Sequence, residues 1–340
     1  MRFPRTAAAV AAAIAVALSA TACSGNETVG DGSTVEPATA AVSPQGTAAP
    51  AGTVLPGPAG TALAVAGSTV AALTADGVRI YTAPGAADAP APRDVAVPDL
   101  AAITADGDGF LGVGPGGLTA IGADGAVRGF GGAIADPLSL AVRGEQILVG
   151  TGEGDLLVLG RDGAVQRTID GFKQVDQILV APETAEEPGQ VIAVDRTQSL
   201  VDPVDVDTGE LKAALRAGNG VTEAVVDPFG RVLASDTRDN EILGFFGQPI
   251  VMRFRFPVAH SPYALTYDTK RNLLWVATTG DNQAVGFDLE TGMPTEEARF
   301  PTVGQVTAVT AAPDSGMLYL LSGRGDGLQA VSPQTAAGQS

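Results

Sequence analysis

The sequence predicts an all-β fold, a seven-bladed β-propeller preceded by a cleaved signal peptide and a flexible tether. Three observations carry this. First, no long segment places apolar residues at three-and-four spacing, so helix signals are weak. Second, short β-rich runs bounded by Gly, Asp and Asn recur throughout a chain with 44 Gly and 23 Pro in 340 residues. Third, they recur with a period. Polar turns fall at Asp76-Gly77, Gly116-Gly117, Gly154-Asp155, Gln198-Ser199, Asn240-Glu241, Asn282-Gln283 and Asp326-Gly327. Their first residues are 40, 38, 44, 42, 42 and 44 apart. A period near 40 with several strands per unit marks a propeller.

The units align on both sides of the turn. The runs before it are VAALTADG, FLGVGPGG, ILVGTGEG, VIAVDRTQ, VLASDTRD, LWVATTGD and LYLLSGRG. The runs after it are VRIYTA, LTAIGA, LLVLGR, LVDPVD, ILGFFG, AVGFDL and LQAVSP. Each unit thus offers two central strands that are apolar on both faces. One four-stranded sheet cannot cover both faces, but neighbouring blades stacked in a ring can. Seven units place the propeller at 61–335, with a tail at 336–340. The last unit ends soon after VSP and lacks an outer strand. The segment before residue 61, around Val54-Leu55, is the candidate to fill it and close the ring.

The chain opens MRFPRTAAAVAAAIAVALSATAC. A short positive region, an apolar run and small residues make residues 1–22 a secretory leader. The apolar run is too short to span a membrane. Cys23 is the only cysteine, so no intrachain disulfide is expected. Ala20-Thr21-Ala22-Cys23 resembles a bacterial lipobox, which implies lipidation of Cys23, with Ala20 in place of the usual leucine. Residues 23–60 are rich in Ser, Thr, Pro, Gly and Ala. Their composition predicts a flexible tether, because it buries too little apolar area to offset ordering entropy.

The formal charge is −18, and removing Arg2 and Arg5 with the leader makes it −20. That field repels phosphates, and no basic run exists, so nucleic acid is not an expected partner.

Several units resemble known repeats. VVDPFGRVLASDTRDNEILGFF is similar to an NHL repeat, and LTYDTKRNLLWVATTGDNQAVGFDLETG to the surface-antigen (YVTN) type of propeller unit. Beyond the repeats, the chain resembles the LppL-type conserved lipoproteins of mycobacteria and other actinobacteria. LRAGNGVTEAVVDPFGRVLASDTRDN, FPVAHSPYAL, VGFDLETGMPTEEARFPTV and VEPATAAVSP carry that resemblance, which is densest from about 190 to 325. It implies a lipid-anchored envelope propeller and lends no catalytic residues.

Chemistry on a propeller concentrates at the channel mouth. The polar residues ending the second strands are the candidates there: Asp195, Arg196, Asp236, Arg238, Asp281 and Arg324. Their alternative role is to pair and cap strand ends. DVDTG at 205–209 and DLETG at 288–292 share the Asp-x-x-Thr-Gly form of quinoprotein propellers, but no tryptophan follows, and a hairpin cap explains them. Asp202, Asp205, Asp207 and Glu210 cluster in sequence without EF-hand spacing. Asp106 and Asp108 read as a turn. His260, the only histidine, lies in VAHSPYAL with no nucleophile elbow, so it reads as a loop residue. No metal and no cofactor is expected.

The functional expectation is a propeller on the outer face of the cytoplasmic membrane, anchored by lipid and monomeric. It would act as a non-catalytic module that binds an envelope protein or a small ligand. The alternative is a lactonase-like or other hydrolase at the channel mouth, using Asp236, Arg196 and Asp195. A purely structural envelope component is a third option. Phe245, Phe246, Phe254, Phe256 and Tyr263 form a candidate binding rim, with filling between blades as their other role.

Overall fold

A computed structural model describes residues 34–45, 48–97 and 99–337. Cys23 and the leader lie outside them. Seven antiparallel sheets follow one another along the chain. Six are built from consecutive strands: residues 60–96, 102–130, 137–169, 177–216, 221–257 and 262–301 form blades one to six. Blade seven is different. Val306–Ala311, Leu318–Ser322 and Leu328–Val331 supply three strands, and Thr53–Leu55 supplies the outer one. Thr53 pairs with Ala330, Val54 with Gln329 and Leu55 with Leu328. The missing outer strand therefore comes from the N-terminal side, and it ties the two ends of the ring together. Among the described residues no helix is long and apolar enough to cross a membrane.

The second strand of each blade is almost wholly buried. Val191–Asp195, Val232–Asp236 and Leu318–Ser322 are buried at every position. That follows from apolar side chains on both faces, each face packing on a neighbouring blade. Trp275 shows the fit: its ring is buried and lies 5.1 Å from Phe300. The aromatic residues expected as a rim divide accordingly. Phe245 and Phe254 are buried between blades, and Phe256 meets Phe287 edge-on at 5.7 Å.

Blade four departs from the pattern. Its outer strand is split into Glu210–Leu211 and Leu215–Arg216, both paired to Leu200–Asp205. Pro203 sits in that third strand and has no N–H to give the outer partner. Only its carbonyl is used, by the Lys212 N–H at 2.9 Å.

Two boundaries move. The tail expected at 336–340 begins inside a short helix, Pro333–Ala337, whose Ala336 is buried. Residues 34–45 and 48–60, expected as tether, also pack on the propeller. Residues 34–45 lie across the propeller as a strap. Composition suggested a free tether because the strap buries little apolar surface; main-chain hydrogen bonds to distant loops hold it instead.

Candidate functional site: the strapped face

In an antiparallel meander, the turn after the second strand and the link from the fourth strand to the next blade fall at the same end. All six expected channel-mouth residues therefore share one face with the inter-blade links. The turns and links are sewn together by acids. Asp195 is buried and accepts the N–H groups of Lys173 and Gln174 at 3.2 Å, of Gln198 at 2.9 Å, and the Thr197 hydroxyl at 2.7 Å. Asp236 is equally buried and accepts the N–H of Asn219 at 2.8 Å and of Asp239 at 3.2 Å. Gly218 makes room for it: its φ is +70°, and a Cβ there would fall 1.8 Å from Asp236 Oδ2. Asp326 accepts the Gly304 N–H at 3.0 Å, and Asp176 accepts the Arg196 N–H at 2.7 Å. Burial raises the pKa of Asp176 and of Asp236, and those N–H bonds oppose the shift.

The remaining candidates are also engaged. Asp281 accepts the Thr278 hydroxyl at 2.5 Å and lies 3.8 Å from Arg299. Arg324 pairs with Asp326 at 2.7 Å. Arg238 donates to the Glu36 carbonyl of the strap. Five of the six serve their own turns, links or the strap, whereas the Arg196 side chain lies near Glu223 and its Nε is buried without a hydrogen-bond partner. Asp236, Asp239 and Glu241 do bring carboxylate oxygens within 4.8 Å of one another. The Arg255 guanidinium clasps Glu241 and reaches Asp239 at 3.8 Å, so a cation of this chain already offsets part of that charge.

The strap follows the ring from blade four to blade seven. The Val35 N–H donates to Thr197 O at 2.6 Å. Ala38 passes over Gly220, where a Cβ would lie 2.8 Å from its own. The Ala41 N–H donates to Ser261 Oγ at 3.0 Å, and Gln305 Nε2 donates to Ala41 O at 3.2 Å. The Ser43 N–H donates to Gln305 Oε1 at 3.0 Å, and the Gln305 N–H to Ser43 Oγ at 2.6 Å. The buried Ser43 hydroxyl donates to Thr279 O at 2.9 Å. Arg324 reaches Ser43 O at 3.4 Å, and Asn282 Nδ2 donates to Pro44 O at 3.0 Å. The chain then continues past Ala51, which bonds Pro301 O at 2.9 Å, into the closing strand. Ala48, Ala49 and Pro50, with Val303, Asn282 and Arg324, line an open pocket of about 400 Å³.

Deeper in the ring, sequence reasoning missed Glu223. It lies on the innermost strand of blade five, Val221–Val226. Its carboxyl accepts the Leu265 N–H of blade six, and burial pushes its pKa up to about 7 despite the nearby Arg196 charge. Gln177 holds the equivalent place one blade earlier. Its amide both accepts the Ala224 N–H at 2.9 Å and donates to Ala224 O at 2.8 Å. Glu223 is thus the acid counterpart of a blade-to-blade amide clasp. An acid inside the apolar run VTEAVV is the signal that could have found it.

The other acidic residues take different roles. Asp202 is buried, its Oδ1 has no hydrogen-bond partner, and burial with the Asp195 charge raises its pKa to about 7. Asp205 caps its hairpin through the N–H groups of Asp207 and Thr208, Asp207 pairs with Arg143 at 2.9 Å, and Glu210 with Lys212 at 2.8 Å. DVDTG and DLETG are both hairpin turns, with Gly209 and Gly292 at positive φ. Asp106 pairs with Arg161 at 2.7 Å. His260 is an exposed link residue with φ of 69°, followed by Ser261 at 61°.

Neither a protein-family model nor a curated protein sequence matches this chain. Solved structures do. A chain of hydrazine synthase from Kuenenia stuttgartiensis superposes with a TM-score of 0.65 at 16% identity, covering 86% of this chain and 99% of that one. A chain of a mitotic checkpoint complex superposes with a TM-score of 0.67 at 14% identity, covering 87% and 95%. At such identities the likeness speaks for the fold, and the chain is a seven-bladed β-propeller closed by its own N-terminal strand and strapped across one face.

Proposed function

We propose that this chain is a lipid-anchored envelope propeller of the LppL type, acting as a non-catalytic interaction module on the outer face of the cytoplasmic membrane. The observation that carries the interaction role is the use made of the channel-mouth residues. Asp195, Asp236, Asp281, Arg238 and Arg324 hold turns, links and the strap rather than facing a shared reaction centre. Such a face is built to position a polypeptide.

The strap sharpens the geometry of anchoring. Eleven chain steps separate Cys23 from Thr34. Extended at about 3.3–3.6 Å each, they reach at most about 40 Å. A tether running to residue 60 would have reached about 130 Å. With Cys23 lipidated, the strapped face near blades four and five stays close to the bilayer.

The test is gentle detergent extraction of native membranes, with tagged full-length protein beside a Cys23→Ala control. The expected result is a stoichiometric partner, absent from the control, and a lipidated mature Cys23 in the mass spectrum. A purified protein that turns over a substrate and loses that activity on Asp236→Ala would overturn the proposal.

A second reading has one observation in its favour. Glu223, held near a neutral pKa beside Arg196, has the properties of a proton-transfer group. A hydrolase working from the channel would lose its turnover on Glu223→Gln.

A further inference from the structure

The strap is bound as a ligand is bound. Seven of its main-chain groups are met by loops of four successive blades: the N–H of Val35, Ala41 and Ser43, and the carbonyls of Glu36, Ala41, Ser43 and Pro44. The groups that meet them are themselves fixed. The Ser261 N–H is held by Asn240 Oδ1 at 2.9 Å, Arg324 by Asp326, and Thr197 by Asp195. Most strap side chains are not read: Glu36, Pro37, Thr39 and Ala41 are exposed, and Val42 is 89% exposed. Two positions are fitted: Ser43 is buried, and Ala38 passes over Gly220, whose missing side chain leaves room for the Ala38 methyl.

We propose that the strapped face of blades four to seven is a receptor for an extended, small-residue segment of a partner protein, occupied in cis by residues 34–45 until such a segment displaces them. The proposal rests on the interaction-module function above and names its partner class. Recognition through main-chain groups tolerates many sequences. The buried position requires a serine where Ser43 sits, and Gly220 leaves space for the residue five positions earlier. The protein's large negative charge favours a neutral or basic segment over an acidic one.

Attachment in cis gives the strap an effective concentration on the order of millimolar. A competing segment of equal intrinsic affinity therefore succeeds only when it is concentrated as well, as on a shared membrane surface. His260 and Ser261 fit such a site. Two successive non-glycine residues at positive φ present the Ser261 hydroxyl to the strap, and strained backbone of this kind gathers where a chain is bound.

The experiment is to place a protease site at 48–50, between strap and closing strand, and to cut the full-length protein. A fluorescent synthetic peptide of residues 34–45 is then titrated against cut and uncut protein. The expected result is saturable binding at least tenfold tighter to the cut protein. That binding should weaken at least tenfold on Gln305→Ala, and for a peptide carrying Ser43→Glu. A cut strap retained on gel filtration and released by excess peptide supports the proposal equally. Should the cut chain unfold, the uncut Ser43→Glu protein, whose own strap cannot seat, takes its place. No binding, or binding indifferent to Gln305→Ala, overturns the proposal. Concentration-dependent dimers that exchange straps also overturn it, since the occupant would then be a second copy. A membrane partner captured without any peptide binding leaves the interaction module standing and removes only the receptor.

Discussion

Ser43 and Gln305, 262 residues apart, hold each other by two reciprocal hydrogen bonds. The Gln305 side chain accepts the Ser43 N–H, and the Gln305 N–H donates to the Ser43 hydroxyl. This pair is the centre of the strap's attachment. Gln305→Ala should therefore raise amide hydrogen exchange at Ala41 and Ser43 by tenfold or more. It should lower global stability by about 1–3 kcal/mol, the cost of orphaned polar groups. Unchanged exchange at those amides would show that the strap is held elsewhere.

Ring closure depends on the outer strand of blade seven. A chain beginning at residue 34 should melt within a degree or two of the full protein. A chain beginning at residue 60 loses Thr53–Leu55 and the bond from Gln329 Nε2 to Ala51 O. Its melting temperature should fall by roughly 5–10 °C, as the loss of several kcal/mol implies for a domain of this size. Calorimetry of the two chains checks it.

Asp202 and Glu223 make stability depend on pH in a definite direction. Each has a folded pKa of about 7, above its ordinary 3.8 or 4.5. Each binds its proton more tightly when folded, so the stability that each contributes is full below the ordinary carboxylate range and is lost as pH rises through about 7. Asp202→Val removes an unpartnered buried oxygen beside Ala193, its cross-strand neighbour. It should stabilise the protein by about 2–4 kcal/mol at pH 8 and by much less at pH 4. Glu223→Gln should create an amide clasp like the one Gln177 makes, with the same sign and a smaller gain, because Glu223 is only partly buried. Denaturant melts at both pH values test this; a gain larger at pH 4 would refute it.

Gly218→Ala tests the link between blades four and five. The added methyl would meet Asp236 from a backbone at φ +70°. The substitution should cost about 2–4 kcal/mol through strain and a displaced carboxylate. The expected readout is a lower denaturant midpoint. Gly67, also at positive φ but in open space, should cost less on the same change.

The repeat was legible because it is written in local chemistry. VLASDTRDNEILGFF carries its own second strand, turn and third strand, and the same pattern returns every forty or so residues. The closing strand at Val54-Leu55 could be anticipated from an outer strand missing in the last unit. The hairpins of DVDTG and DLETG followed from turn-forming residues, and the strand-end acids from their alternative role as caps.

What the sequence determined by itself was the ring: seven like units with two-faced apolar strands cannot bury themselves except against one another. What only the tertiary structure decided was how distant polar groups meet. The strap carries no apolar signal, and its partners lie in loops as much as 281 residues away. Glu223 looked like any acid until the ring set it opposite the Leu265 amide of the next blade. Hydrophobic periodicity is a property of neighbours along the chain. Hydrogen bonds between main-chain groups of one segment and side chains of another exist only once the ring has closed.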